Sequence, residues 1–245
     1  MQQNATGTMY PKKIILALFI FALVVLCGKI IFSQFSVFSS EFAGVGDEIN
    51  QAAIAPELFR SHALAATNTT DKSLLLYRAE LSRADVLWFY SHLVGNEAIA
   101  RIILENANKN DIPPPLAFAL AWEESRYQVR AVNRNATSID RGLFQLNNKA
   151  FPNLTERDFF NPEKNAQHGL THLGYCLDLS GNEVAALAMY NAGTTKVRND
   201  KTPKRTLDYV SRILSHRDGI EALFAKQVSP RYAIDEAGKV SVARR

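Results

Sequence analysis

The chain has 245 residues, of which 47% are hydrophobic, and 28 basic against 24 acidic side chains give it a formal net charge of +4. An apolar fraction of this size excludes disordered and collagen-like chains, and the length suits one domain or one and a half. Three of the excess positive charges (Lys12, Lys13 and Lys29) lie before residue 40, where no acidic residue compensates them. The rest of the chain is therefore too weakly charged for a nucleic-acid surface, and nucleic acid is not an expected partner.

Residues 1–39 are predicted to be an export signal or a membrane anchor. An unbroken apolar run covers residues 14–28 behind two lysines, and its length lies between a signal-peptide core and the roughly 20 residues that span a bilayer. We favour an uncleaved anchor; cleavage near Ser39, lipidation at Cys27 and a buried core helix are the alternatives. Because basic flanks stay in the cytoplasm, the remainder is expected on the periplasmic side of the cell envelope, attached to the cytoplasmic membrane or released from it.

Residues 40–95 are expected to form a linker and accessory helices. The first thirty of them are polar, Ala-rich and weakly patterned. Helices are predicted after this linker at residues 71–81, at residues 82–94 with Ser82 as the cap, and at residues 96–108. Three consecutive prolines at 113–115 then interrupt the chain, since proline is tolerated only in the first turn of a helix.

The next predicted helix, residues 116–126, carries the first candidate chemistry. Residues 116–122 are apolar on every side, so this helix should be central, and it ends on Glu123 and Glu124. Burial and the negative end of the helix dipole both raise the pKa of a carboxyl, as a general acid near neutral pH requires. Neighbouring residues point about 100° apart, so one carboxyl can face a cleft while the other meets solvent or a basic side chain. A solvated helix end is the plainer interpretation.

Two further motifs follow in order. Residues 133–147 predict a short hairpin that ends in Gly142-Leu-Phe-Gln-Leu-Asn147, and residues 186–193 predict a helix that ends at Gly193 and contains Tyr190-Asn-Ala-Gly193. With Glu124-Ser125, these blocks resemble the three signature blocks of soluble-lytic-transglycosylase-like (SLT) domains of the lysozyme superfamily. Flanking residues that also match are Asn161, Pro162, Asn165, Gly169, Pro203, Thr206, Tyr209 and Ile213.

The resemblance implies an α+β, predominantly helical, lysozyme-like fold with a short β-hairpin, over residues 96–225, with a C-terminal tail at 226–245. It implies an enzyme that cleaves the β-1,4 bond between N-acetylmuramic acid and N-acetylglucosamine in peptidoglycan glycan strands and leaves 1,6-anhydromuramic ends. Glu124 would be the general acid and then the base, with no cofactor. The matching substrate-binding positions are Ser125, Asp140, Gln145, Asn147, Tyr190, Asn191 and Tyr209.

Asp140 leaves a second activity open. Residues 133–147 also resemble animal-type lysozymes, which use an Asp at this place as a second carboxylate, and a retaining hydrolase needs that carboxylate about 5 Å from the acid. The block at Tyr190 favours the transglycosylase. A third possibility is an envelope scaffold that binds peptidoglycan without cutting it. Any assembly partner in the envelope is unknown.

The remaining candidate features have simpler explanations. Cys176 has no partner outside the apolar leader and is predicted to pack as a small hydrophobe. His168 and His172 lie four residues apart on a predicted helix and could ligate a metal, but no third ligand is spaced to match, so a surface pair is predicted. Residues 196–205 hold five basic side chains against one acidic side chain, which is typical of a solvated loop but could also meet carboxylates of the peptidoglycan stem peptide.

Overall fold

The computed structural model describes residues 71–243, so the predicted leader and linker lie outside the described part of the chain. The described residues are mostly helical with two small antiparallel sheets, and the expected α+β class is confirmed. No helix in this range is long and apolar enough to cross a membrane. The helices are α1 Lys72–Arg78, α2 Glu80–Val94, α3 Glu97–Lys109, α4 Pro114–Ser125, α5 Glu156–Phe159, α6 Pro162–Ser180, α7 Glu183–Ala192, α8 Thr194–Arg198 and α9 Lys204–Gln227. The strands are β1 Val132–Arg134, β2 Ile139–Arg141, β3 Leu146–Asn147, β4 Tyr232–Ile234 and β5 Val240–Val242.

Helices α1 and α2 are separated at a different place from the one predicted. Asp71 caps α1, because its carboxylate accepts a hydrogen bond from the backbone N–H of Leu74 at 2.9 Å. The break falls at Ala79, and Ser82 lies buried inside α2, where its hydroxyl donates to the carbonyl of Leu76 at 2.6 Å. The predicted Ser82 cap is therefore wrong, and this hydroxyl instead ties α2 back to α1.

Both of these helices belong to the main core rather than to an accessory segment. Leu76, Val86 and Tyr90 are fully buried in the same cluster as the core residues of α3 and α4. The ring of Tyr90 stacks on Phe118 of α4 with the centroids 4.2 Å apart. The compact unit therefore starts at α1, ahead of the boundary at residue 96 that the resemblance implied.

Helix α4 is the central element, as its sequence indicates. Pro114 and Pro115 occupy its first turn, where a missing N–H costs nothing, and residues 116–121 are completely buried. The helix ends at Ser125, because Arg126 adopts the left-handed conformation with a φ of 55°. Helix α4 is thus a buried apolar helix whose last turn places its two glutamates at one end of the domain core.

The predicted hairpin is present, and a third strand joins it. Strands β1, β2 and β3 pair antiparallel, so that Asp140 lies between Asn133 on one side and Asn147 on the other. Gly142 follows β2 with a φ of 82°, and a Cβ there would lie 2.3 Å from the side chain of Asn165. Only glycine fits this close approach.

The Asn165 side chain fixes the sheet against α6. Its Oδ1 accepts a hydrogen bond from the backbone N–H of Phe144 at 2.7 Å, and its Nδ2 donates to the carbonyls of Arg141 and Phe159 at 2.9 Å each. At Gly169, a Cβ would come within 2.6 Å of the Phe144 side chain. Several residues that carried the family resemblance therefore build the scaffold under the cleft.

Residues 226–243, the described part of the predicted C-terminal tail, contain regular secondary structure. Helix α9 continues past residue 225, and a 3-10 turn leads into the β4–β5 hairpin. Arg231 and Tyr232 both donate hydrogen bonds to Asp85 of α2 at 2.8 Å. Since these contacts join the hairpin to the N-terminal half, the hairpin is part of the folded unit.

Candidate active site

A single cleft of about 1020 Å³ gathers side chains from α4, the three-stranded sheet and helices α6 to α9. Six of the eight residues that the sequence proposed for the site line this cleft. They are Glu124, Asp140, Asn147, Tyr190, Asn191 and Tyr209. The other two, Ser125 and Gln145, lie outside its lining.

Glu124 is a carboxyl of the cleft lining. It lies on the last turn of α4, partly buried, and burial raises the pKa of its carboxyl from 4.5 to about 8. The nearby negative charges of Asp140 and Glu123 raise this pKa further, whereas a hydrogen bond from Tyr209 lowers it. At neutral pH the carboxyl is therefore protonated and able to act as an acid.

Tyr209 of α9 orients this carboxyl. Its hydroxyl donates to Oε1 of Glu124 at 2.5 Å, and burial raises the pKa of the phenol well above its usual value. Because Oε1 accepts this bond, the proton of the neutral Glu124 carboxyl belongs on Oε2. A single donor thus selects which oxygen of the acid holds the proton.

Glu123 takes the other direction that the helix geometry predicted. Its Oε1 accepts hydrogen bonds from Nε and Nη2 of Arg212 at 2.8 and 2.6 Å, and Arg126 lies 3.7 Å from Oε2. Glu123 is therefore ion-paired, and Glu124 is the carboxyl of the pair that opens into the cleft.

Asp140 is held in a cage of amides on the opposite wall. Its Oδ2 accepts hydrogen bonds from Nδ2 of Asn133 at 3.2 Å and of Asn135 at 2.8 Å, while its Oδ1 accepts one from Nδ2 of Asn147 at 2.6 Å. All four side chains line the cleft. Both oxygens of the Asp140 carboxylate are therefore hydrogen-bonded by side-chain amides of the protein.

Tyr190 and Asn191 lie at the end of α7, as predicted. The hydroxyl of Tyr190 donates to the carbonyl of Phe144 at 2.9 Å, which fastens α7 to the turn between β2 and β3. Oδ1 of Asn191 accepts a hydrogen bond from Thr206 at 2.8 Å. Within residues 71–243 the Nδ2 group of Asn191 makes no hydrogen bond, so it remains a donor for a ligand in the cleft.

Ser125 and Gln145 stabilise the cleft from behind instead of lining it. The hydroxyl of buried Ser125 donates to the carbonyl of Leu143 at 2.7 Å. Nε2 of Gln145 donates to the carbonyls of Ala131 and Gly142 at 3.1 and 2.9 Å. These bonds link α4, the sheet and the loop that precedes it, and the sugar contacts of the two residues stay a prediction.

Sequence reasoning missed several lining residues. His172 was assigned to the surface, but it lies in the cleft wall with its ring 5.1 Å from that of Tyr190, and burial lowers its pKa. Tyr175, one helical turn away, stacks on His172. The sequence carries one signal for this pair: His172 and Tyr175 lie three residues apart and therefore share a face of the predicted helix. No cluster of three metal-ligating side chains occurs among residues 71–243.

Comparisons with known proteins identify the family of this chain. The model of the transglycosylase SLT domain matches residues 101–211. A protein named X polypeptide from Escherichia coli is 30% identical over 118 residues, which make up 45% of this chain and 69% of that relative. The chain belongs to the transglycosylase SLT domain family. A second X polypeptide, from strain K12, gives the same values, and a third is 31% identical over 109 residues, or 42% of this chain and 63% of its own length.

The family membership confirms the predicted SLT-like domain of the lysozyme superfamily. A solved structure of an inactive variant of the lytic transglycosylase Slt from Pseudomonas aeruginosa is also similar, at 20% identity and a TM-score of 0.43. The match covers 83% of this chain and 37% of that protein, so the SLT chain described here spans little more than a third of its length.

Proposed function

We propose that this protein is a peptidoglycan lytic transglycosylase that cleaves the β-1,4 bond between N-acetylmuramic acid and N-acetylglucosamine. In the first step, Oε2 of Glu124 gives its proton to the glycosidic oxygen as the bond from this oxygen to the anomeric carbon breaks. Glu124 becomes a carboxylate, and positive charge develops at the anomeric carbon of the muramic acid.

In the second step, the Glu124 carboxylate removes the proton from the C6 hydroxyl of the same muramic acid. The C6 oxygen then bonds to the anomeric carbon and closes a 1,6-anhydro ring. The proton returns to Glu124, no water is consumed, and the products together have the mass of the substrate.

The observation that carries this proposal is the raised pKa of Glu124. With a pKa of about 8, the carboxyl is protonated at neutral pH and can act as the acid. The same shift makes its carboxylate a stronger base than an ordinary glutamate, which suits the removal of a hydroxyl proton. One carboxyl can therefore serve both steps.

Asn191 and Tyr190 support the handling of the sugar. The Nδ2 of Asn191 lies in the cleft wall and is available to hydrogen-bond the N-acetyl group of the muramic acid. An oriented N-acetyl oxygen can stabilise the developing positive charge from within the substrate. The hydroxyl of Tyr190 is bound to the carbonyl of Phe144, so the ring is the part of this side chain that is available to contact the sugar.

A hydrolytic muramidase is the second candidate, because Asp140 lines the same cleft as Glu124. In that reaction Asp140 would attack the anomeric carbon and water would complete the cleavage. Three amide donors hold Asp140 in place, which either reaction allows, and the block at Tyr190 favours the transglycosylase. The negative charge of Asp140 helps to keep the proton on Glu124.

The proposed site of action is the periplasmic side of the cell envelope, with the chain anchored in the cytoplasmic membrane through residues 1–39 or exported after cleavage. This placement rests on the apolar run behind two lysines. A tether there would keep the cleft near the wall polymer. Fractionation of cells that express the full chain, followed by protease treatment of spheroplasts, tests this: protection of the domain from external protease would contradict it.

Digestion of purified sacculi with the full chain tests the activity itself. The muropeptides released are separated and weighed. Anhydro ends, which are one water lighter than reducing ends, are the expected result. Reducing ends would identify a hydrolase, and the absence of any release would identify a scaffold that binds the wall without cutting it.

A further inference from the structure

The two walls of the cleft differ in charge. The sheet wall holds Asp140 among its asparagines, whereas the helical wall carries Lys196 of α8 together with Arg205 and Arg212 of α9. The guanidinium of Arg212 is committed to Glu123. Two cations of the helical wall, at positions 196 and 205, therefore remain for a ligand.

Lys196 and Arg205 are exposed and uncompensated. Within residues 71–243 neither forms an ion pair. Asp208 is paired with Lys204 at 3.1 Å, and Asp200, four residues after Lys196, is within salt-bridge distance of neither cation. The first turn of α9 contains no acidic residue. Arg205 lies in this first turn, at the positive end of α9, where a cation is electrostatically unfavourable without an anion nearby. Lys196 lies in the last turn of α8 and faces the cleft from there.

The local fold places these two cations around Asn191. Helix α7 ends at Gly193 with a φ of 89°, which turns the chain into α8 and brings Lys196 to the cleft wall. The hydroxyl of Thr206 donates to Asn191, which fixes the start of α9 and the neighbouring Arg205 beside it. Asn191, Lys196 and Arg205 therefore line the same cleft, and one ligand there can reach all three.

On the proposed function, Asn191 binds the N-acetyl group at C2 of muramic acid, and the neighbouring C3 carries the lactyl ether. We propose that Lys196 and Arg205 form a subsite for a carboxylate carried on this lactyl substituent. The carboxylate is either the lactyl group's own, in strands without peptides, or one of the stem peptide, in intact strands. N-acetylglucosamine has only a hydroxyl at C3, so this subsite would distinguish muramic acid from its neighbour in the strand.

Equilibrium binding tests the subsite without turnover. The full chain with Glu124→Gln is titrated calorimetrically with three ligands: peptide-bearing glycan strands, strands stripped of peptides, and a neutral chitooligosaccharide. The double substitution Lys196→Gln and Arg205→Gln is then compared with the matched pair Arg198→Gln and Lys201→Gln, which removes the same charge from exposed positions outside the cleft lining.

We expect the first pair to weaken binding of muramic-acid-containing strands by about three- to tenfold, an effect that shrinks with added salt. Binding of the chitooligosaccharide should not change. A loss on stripped strands identifies the free lactyl carboxylate as a ligand. A loss on peptide-bearing strands, in which the lactyl carboxyl is an amide, identifies a carboxylate of the stem peptide. Equal losses on all ligands, equal losses for the matched pair, or no loss at all would overturn the subsite.

Two further measurements keep the result interpretable. The conservative pair Lys196→Arg and Arg205→Lys should restore most of the binding, and thermal melting checks that each variant folds. Release of anhydro ends by the unsubstituted chain tests the proposed activity separately. If no ends are released, the proposed activity fails, while the binding comparison still decides whether the cationic wall recognises a carboxylate.

Discussion

The last turn of α4 presents two neighbouring carboxyls to two different regions of the molecule. On the α9 face, Glu123 is ion-paired with Arg212, and Arg126 beside it covers the ring of Trp122. On the cleft face, Glu124 has a phenol instead of a cation for a partner. Two glutamates that are adjacent in sequence therefore differ in protonation, because side chains of other elements determine which of the two carboxyls keeps its proton.

The largest expected effect separates these two faces directly. Glu124→Gln removes the carboxyl proton that the proposed mechanism gives to the glycosidic oxygen, so we expect cleavage of sacculi to fall by about a thousandfold or more. Glu123→Gln breaks an ion pair at the edge of the cleft and should reduce cleavage by no more than about threefold. Release of muropeptides under identical conditions measures both. The reverse order of losses would assign the acid to Glu123.

Tyr209→Phe removes the hydrogen-bond donor to Glu124 and leaves the ion pair of Glu123 intact. Loss of the hydroxyl leaves the proton on Glu124 without a preferred oxygen, and we expect kcat to fall about tenfold. The hydrogen bond from Tyr209 lowers the pKa of Glu124, so its removal should raise this pKa and move the alkaline limit of activity to higher pH. A limit that moved to lower pH would show that Tyr209 does not stabilise the carboxylate.

A smaller effect is expected at the opposite wall. Asp140→Asn removes a negative charge that raises the pKa of Glu124, so the alkaline limit of activity should move to lower pH while anhydro ends are still produced. Activity should decrease by about threefold to tenfold. Asp178→Asn, an equal charge change on the exposed face of α6, serves as the control. Complete loss of cleavage by a folded Asp140 variant would indicate the two-carboxylate mechanism.

The smallest effect is on stability. Because the pKa of Glu124 rises from 4.5 to about 8 on folding, the folded state holds an extra proton between these values. The free energy of unfolding should therefore decrease as pH rises through this window. Glu124→Gln cannot lose a proton, so its Tm should fall less than that of the unsubstituted chain between pH 5 and pH 9. Parallel thermal melts in matched buffers measure the difference; identical pH profiles would contradict the raised pKa.

Much of the site could be predicted because local patterns encode it. Apolar residues on every side mark α4 as central, and the glycine at 193 marks the end of α7. The third helix begins as its Asn96 cap indicates. The split between Glu123 and Glu124 followed from helix geometry alone.

The features that were missed depend on contacts between distant residues. The hydrogen bond from Ser125 to the Leu143 carbonyl joins residues 18 positions apart, and the sequence alone does not show it. His172 belongs to the cleft because α6 packs beside α7, which its own sequence does not state. The C-terminal hairpin has short strands with weak patterns, and its bonds to Asp85 cross most of the described chain.

The hydrogen bonds that hold the cleft together have a consequence for how the sequence can vary. Ser125 and Tyr190 both bind main-chain carbonyls, those of Leu143 and Phe144. A carbonyl is present whatever side chain its residue carries, so drift at the accepting positions leaves these two bonds in place. These two bonds therefore constrain only their donors, Ser125 and Tyr190, whereas the side chains of Leu143 and Phe144 are constrained by their complete burial in the core.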